Sequence, residues 1–202
     1  MTTIAEAPSH ERLQWMALAG LSFGAAGFTG ILSRSHDAFF QPYFGTINPL
    51  LAVTLVSVLG VVSLRFLQSR GWFEIYSRRE CLKGVILSAI LATLFALAAI
   101  LVDLNIVFRE DLNVPPPQSL LFYPAIAYVA EIVIHAVPLS LLLVFLGPLF
   151  KKLNSNSLVW FCILVVSLLE PIFQLGTGFP VYVGLHVFAF NLLQLHVFRR
   201  YD

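Results

Sequence analysis

Six apolar runs set the limits on what this chain can fold into, each close to the roughly 20 residues that an α-helix needs to cross a bilayer. They cover 13–32, 47–64, 84–102, 120–145, 158–175 and 181–198. Helices are the expected form, because the runs lack the alternation of a barrel and lipid offers no partner for an open strand edge. Composition points the same way. Residues are 58% hydrophobic and only 11% charged, against about 25% charged in a typical soluble domain. That leaves too little polar surface to cover an aqueous globule, and it excludes disorder as well. A net charge of +1 gives no reason to expect a nucleic-acid partner. Cys81 and Cys162 lie in or beside apolar runs and form no disulfide framework. The first run follows Glu11 and Arg12 rather than a strongly basic start, and it reads as a retained helix.

The twelve Lys and Arg residues test this map. With the N-terminus inside, ten fall on inner segments: Arg12, Arg65, Arg70, Arg78, Arg79, Lys83, Lys151, Lys152, Arg199 and Arg200. Two, Arg34 and Arg109, fall outside. Such a bias sets orientation in multi-pass proteins. The expected fold is therefore an all-α, polytopic membrane protein with six transmembrane helices and both termini cytoplasmic, in the cell's inner (plasma) membrane. The whole chain, 1–202, forms a single membrane domain. Its N-terminal three-helix half is 13–102, and its C-terminal three-helix half is 119–198.

The connections are short. The inner one at 65–83 mixes Trp72, Phe73 and Tyr76 with arginines, which suits the headgroup layer. The outer stretch 103–119 carries Arg109, Glu110 and Asp111 and the run Pro115-Pro116-Pro117, expected to be extended. The outer stretch 33–46, with His36, Asp37, Phe39, Phe40 and Tyr43, is expected to hold a short interfacial element. In the first span, Gly20 and Gly24 form a small-xxx-small pair, followed by Ala26, Gly27 and Gly30. Such residues let backbones approach closely, either inside the bundle or across a homodimer.

Function is best sought among polar groups at membrane depth, where an unpartnered acid costs about 3 kcal/mol on insertion scales. Glu131 and His135 stand four apart on the fourth span and share one helix face. Pro138 removes the amide that would have bonded the carbonyl of Ile134, so a kink is expected beside them. The fifth span carries Glu170 directly before Pro171, at an expected break, with Gln174 one turn on. The sixth carries His186, Asn191, Gln194 and His196. His186 and Gln194 lie about 80° apart around an ideal helix, and Asn191 about 140° from His186. His196 falls near the basic end. Counting residues from the membrane faces brings Glu131, Glu170 and His186 to similar depths, so a shared polar cavity is expected.

A carboxylate in such a cavity can deprotonate a water that attacks a peptide carbonyl, with His, Asn or Gln stabilising the oxyanion. At these residues the chain resembles the CAAX-protease and bacteriocin-processing family. That family has a Glu-Glu-x-x-x-Arg motif on one membrane helix, Phe-x-x-x-His on the next and His-x-x-x-Asn on a later one. The segment Ala130-Glu131-Ile132-Val133-Ile134-His135 resembles the first, with Ala130 replacing a Glu and His135 replacing the Arg. Val166-Ser167-Leu168-Leu169-Glu170 takes the place of the second, with Glu in the His position. Gly184-Leu185-His186, followed by Asn191, resembles the third, the Asn standing one residue further along. The resemblance covers roughly 115–200. It implies intramembrane peptide hydrolysis, with Glu131 as the base and His186 with Asn191 on the oxyanion side; Glu170 receives no role. The implied substrate is a membrane-embedded or prenylated peptide.

Other readings stand beside it. Glu131, His135, Glu170, His186 and Asn191 also suit mutually satisfied polar ties in a non-enzymatic protein of a partner-binding or immunity type. No cofactor is expected from the protease reading. Two carboxylates and two imidazoles could instead hold zinc or iron, although Glu-x-x-x-His is not the Glu-x-x-His spacing of the di-iron bundles. The absence of an internal repeat argues against an inverted-repeat transporter.

Overall fold

The computed structural model describes residues 10–70, 81–104, 114–150, 155–176 and 178–200. Of the described residues 88% are helical, and no strand occurs among them. Helix α1 spans His10–Leu32. A 3-10 turn at Asp37–Phe40 runs into the short α2, Gln41–Phe44, then come α3 (Pro49–Ser69) and α4 (Cys81–Asp103). The next long helix has three parts, α5 (Ser119–Ala130), a π-helical turn (Glu131–Ala136) and α6 (Val137–Leu149). Helices α7 (Ser155–Gly176) and α8 (Val181–Arg200) complete the bundle.

Among the described residues, five helices are long and apolar enough to cross a membrane: Arg12–Leu32, Pro49–Ser69, Ser119–Leu149, Asn156–Gly176 and Val181–Arg199. Helix α4 has 23 residues, with a described apolar stretch at Ile86–Ala98. It packs on α8 and leaves Ile86, Ile90, Leu94, Leu97 and Leu101 exposed. Most of the connection at 65–83 and the charged part of 103–119 lie outside the described residues.

Local chemistry explains the element ends. The Asn48 carboxamide oxygen accepts from the amides of Leu50 and Leu51 at 3.0 and 3.1 Å, and Pro49 follows at the first helical position, so α3 starts on a capped turn. The expected element at 33–46 is present as the 3-10 turn and α2. Its Phe40 is buried against Phe122 and packs in a cluster with Leu32 and Val114. The proline run is not extended, because the amides of Ser119 and Leu120 donate to the carbonyls of Pro115 and Pro117, turning the chain into α5.

Pro124, Pro148 and Pro171 lie inside described helices, and the break expected at Pro171 does not occur. Helix α7 continues through that residue. Membrane helices tolerate such a proline because neighbouring groups and small backbone adjustments satisfy the freed carbonyl. Beside Pro138 the helix is perturbed by an insertion. The amide of Val137 reaches back five residues to the carbonyl of Ile132, and six residues adopt the wider π turn before α6 resumes around Pro138.

The core joins α1, α3, α6, α7 and α8 through Leu18, Leu67, Leu139, Leu143, Ile163, Val166 and Leu195. Lipid gives apolar side chains no reason to leave it, so close backbone approach and polar ties must hold these helices together. Gly60 of α3 supplies one such approach, since a Cβ there would stand 2.7 Å from Ile132 Cδ1. The α1 glycines do not. A Cβ at Gly20, Gly24, Gly27 or Gly30 would meet nothing within 4 Å, so packing inside the chain is not their use among the described residues.

Among the described elements, helices α7 and α8 make the most extensive contact. A tight connection joins them, with Gly178 at φ +92°, a conformation that favours glycine. From there, pairs descend the hairpin in antiparallel order: Leu175 with Gly184, Glu170 with Asn191, Trp160 with His196, and Asn156 with Arg199.

Candidate functional site

The π turn places Glu131 at its first position and His135 at its fifth. His135 Nδ1 lies 3.1 Å from Glu131 Oε2, and the Gln194 carboxamide of α8 donates to the same oxygen. Two helices therefore hold one carboxylate oxygen. Among the described residues, the second oxygen of Glu131 takes no hydrogen bond. The Glu131 side chain is 40% exposed, while that of His135 is only 5% exposed. His135 Nε2 is buried and has no hydrogen-bond partner among the described residues.

One turn earlier on α8 stands a second carboxylate–amide pair. Asn191, almost fully buried, donates from Nδ2 to Glu170 Oε2 at 3.1 Å. Gln174 Nε2 donates to Glu170 Oε1 at 3.2 Å. Both oxygens of Glu170 are thus occupied by amides. Asn191 and Gln194, three apart on one helix, share a face, and that face ties α7 on one side and the π turn on the other. Asn191 Oδ1 is buried without a partner among the described residues.

Of Glu131, Glu170 and His186, for which a shared cavity is expected, only the two acids come to common neighbours, the carboxamides of α8. The two acids meet the same face of α8, but His186 does not join them. Its ring packs against Phe95 of α4 at 5.3 Å between centroids. The roughly 140° between His186 and Asn191 around the helix sends them to different neighbours, α4 and α7. They do not form a pair. His196, near the basic end, stacks on Trp160 at 5.2 Å.

This dispersal also bears on a metal. Among the described residues, no three His, Cys, Asp or Glu side chains group as ligands. Glu131 and His135 supply two donors, but the third neighbour is a carboxamide and Glu170 is engaged with Gln174 and Asn191. The donor set does not fit the four-ligand zinc or iron site.

A hydroxyl network one turn before Glu131 was not singled out by sequence. Tyr128 Oη donates to Ser57 Oγ of α3 at 3.0 Å, and Ser22 Oγ of α1 lies 2.7 Å from the same phenol oxygen. Ser57 in turn donates to the carbonyl of Val53 at 2.8 Å. The spacing of Tyr128 and Glu131 by three residues is the signal that places them on one face.

No protein-family model matches the chain, no curated protein is found similar to it, and no solved structure is found similar to it.

Proposed function

We propose that the chain is a six-span protein of the inner (plasma) membrane with both termini cytoplasmic, a divergent relative of the CAAX-protease and bacteriocin-processing family. In this reading Glu131 activates water for hydrolysis of a membrane-embedded or prenylated peptide. The observation that carries it is the asymmetry of the Glu131 carboxylate. One oxygen is fixed by His135 and Gln194, while the other is uncommitted on a partly exposed side chain. A general base needs that combination of fixed orientation and open lone pairs. The carboxylate takes a proton from water, and the resulting hydroxide adds to the carbonyl carbon. The proton then passes to the departing amine nitrogen as the C–N bond breaks.

One feature of the family resemblance is revised in this proposal. The oxyanion role implied for His186 with Asn191 has no joint geometry, since the two face different helices. Gln194 provides the carboxamide nearest the proposed base. Its second N–H is the donor we assign to the developing oxyanion. A non-enzymatic, partner-binding role is the second reading, favoured by Glu170, whose two oxygens are both spent on amides.

The two readings separate at Glu131→Gln. Hydrolysis predicts an unchanged melting temperature in detergent and cleavage of a peptide library reduced by at least about 100-fold, the usual lower bound for a lost general base. A purely structural carboxylate predicts a lowered melting temperature, with no cleavage by the wild type to lose.

A further inference from the structure

Helices α4, α7 and α8 enclose an apolar groove of about 900 Å³, separate from the Glu131 site. Phe95 of α4, Phe161 and Leu164 of α7, and Phe188 and Leu192 of α8 form its walls. Trp160 and His196 lie at its end towards the α8 C-terminus. From Phe188 to His196 the helix rises about 12 Å, so the groove runs along the bundle and does not cross it.

Its two ends differ in chemistry. Apart from the Trp160 indole and the His196 imidazole, no lining residue has a polar side-chain group. An extended peptide laid in the groove would leave its backbone amides without partners, at a cost of several kcal/mol for each group in an apolar medium. An acyl chain has nothing to satisfy. The other end is cationic and aromatic. The Arg199 guanidinium sits over the Trp160 ring, 4.8 Å from its centroid, and is tied to Asn156; His196 stacks on the same indole. In the sequence Lys151 and Lys152 stand just before α7, and Arg200 follows Arg199.

We propose that this groove is a binding site for an anionic phospholipid, one acyl chain lying between Phe95, Leu164 and Leu192 and the headgroup at Arg199 and His196. Basic pockets between membrane helices recognise acidic headgroups in this way. The site stands independently of any chemistry at Glu131.

Trp160 is its natural reporter. The other two tryptophans, Trp15 and Trp72, are replaced by Phe, and the full chain is reconstituted in vesicles of phosphatidylglycerol or phosphatidylcholine carrying brominated acyl chains. Brominated phosphatidylglycerol is expected to quench Trp160 preferentially, with an apparent affinity about five-fold weaker in Arg199→Gln, the loss of one headgroup charge contact. Ala189→Phe, which fills the groove from α8, is expected to abolish the preference. Equal quenching by the two lipids overturns the proposal, as does a preference unchanged in Ala189→Phe. Native mass spectrometry of the wild type is the second measurement and needs no tryptophan substitution. It should retain phosphatidylglycerol on release from the micelle and lose it in Ala189→Phe. Equal retention of phosphatidylcholine, or a peptide in its place, would refute it.

Discussion

At the scale of single residues, Asn191 is the most informative side chain in the site. It is 1% exposed and spends its amide on Glu170. Truncation to Ala leaves a carboxylate short of a donor and is expected to cost about 1–3 kcal/mol, read as a lower melting temperature in detergent. Asn191→Asp should be worse, since it sets a second carboxylate 3.1 Å from the first. Restoring complementarity with Glu170→Gln should recover most of that loss; if the double variant is no better than Asn191→Asp alone, the pair is not coupled. The acids and amides of this site were legible in the sequence because such groups are rare at membrane depth and need partners. The hydroxyls were not. Ser57, Thr54, Thr93 and Ser167 all donate to carbonyls three or four residues back in their own helices, so a Ser or Thr in an apolar run needs no tertiary partner and gives no signal. Ser22 and Ser57 acquire meaning only once Tyr128 is seen between them. His186 misled for the opposite reason. Counting residues along a run does not fix the direction a helix face points, and His186 packs on Phe95 while Asn191 and Gln194 reach the two carboxylates.

Among the elements, the π turn decides how Glu131 meets its surroundings. A π turn inserts one residue into the α-helical register, so α5 and α6 present faces that an uninterrupted helix would rotate apart by about 100°. The sequence signalled a perturbation through Pro138 but not that a residue is inserted there, because the missing proline amide does not specify which carbonyl the neighbouring amides reach. The break expected at Pro171 does not occur, because the helix absorbs the proline. Helix existence, by contrast, was readable, and the ends less closely: run 47–64 corresponds to Pro49–Ser69 and 120–145 to Ser119–Leu149. Runs 13–32 and 181–198 correspond to His10–Leu32 and Val181–Arg200, since hydropathy and helix length are locked together in a bilayer. The contact of Gly60 with Ile132 anchors the π turn to α3, and it makes a size-exchange test. Gly60→Ala forces its Cβ into Ile132 Cδ1 and should cost about 1–3 kcal/mol, the range for overpacking. Ile132→Val deletes that methyl and alone should cost about 0.5–1.5 kcal/mol. The double variant should melt above Gly60→Ala. Strict additivity would mean that the clash is relieved by helix movement instead.

For the whole molecule, the number of crossings decides which side of the membrane each site faces, and α4 is the helix on which that number turns. It makes few contacts with the rest of the bundle and exposes most of its described apolar side chains. If it crosses, the six-span arrangement keeps the ten-to-two split of basic residues, with Arg34 and Arg109 outside. If it remains on the inner side, every later connection changes side. Arg12, Arg65, Arg70, Arg78, Arg79, Lys83 and Arg109 would then be inside, and Arg34, Lys151, Lys152, Arg199 and Arg200 outside, seven against five. The first distribution is the one that positive-inside insertion favours. It also puts the Arg199 end of the lipid groove at the leaflet where anionic headgroups and basic residues attract each other. A reporter fused after Asp202 resolves the choice. One that is active only in the cytoplasm should be active there, and one that is active only after export should be silent. Insertion of the same reporters at Leu104 should give the reverse. An exported C-terminus would remove α4 from the membrane, place the Arg199 end outside, and reverse the face from which a peptide approaches Glu131.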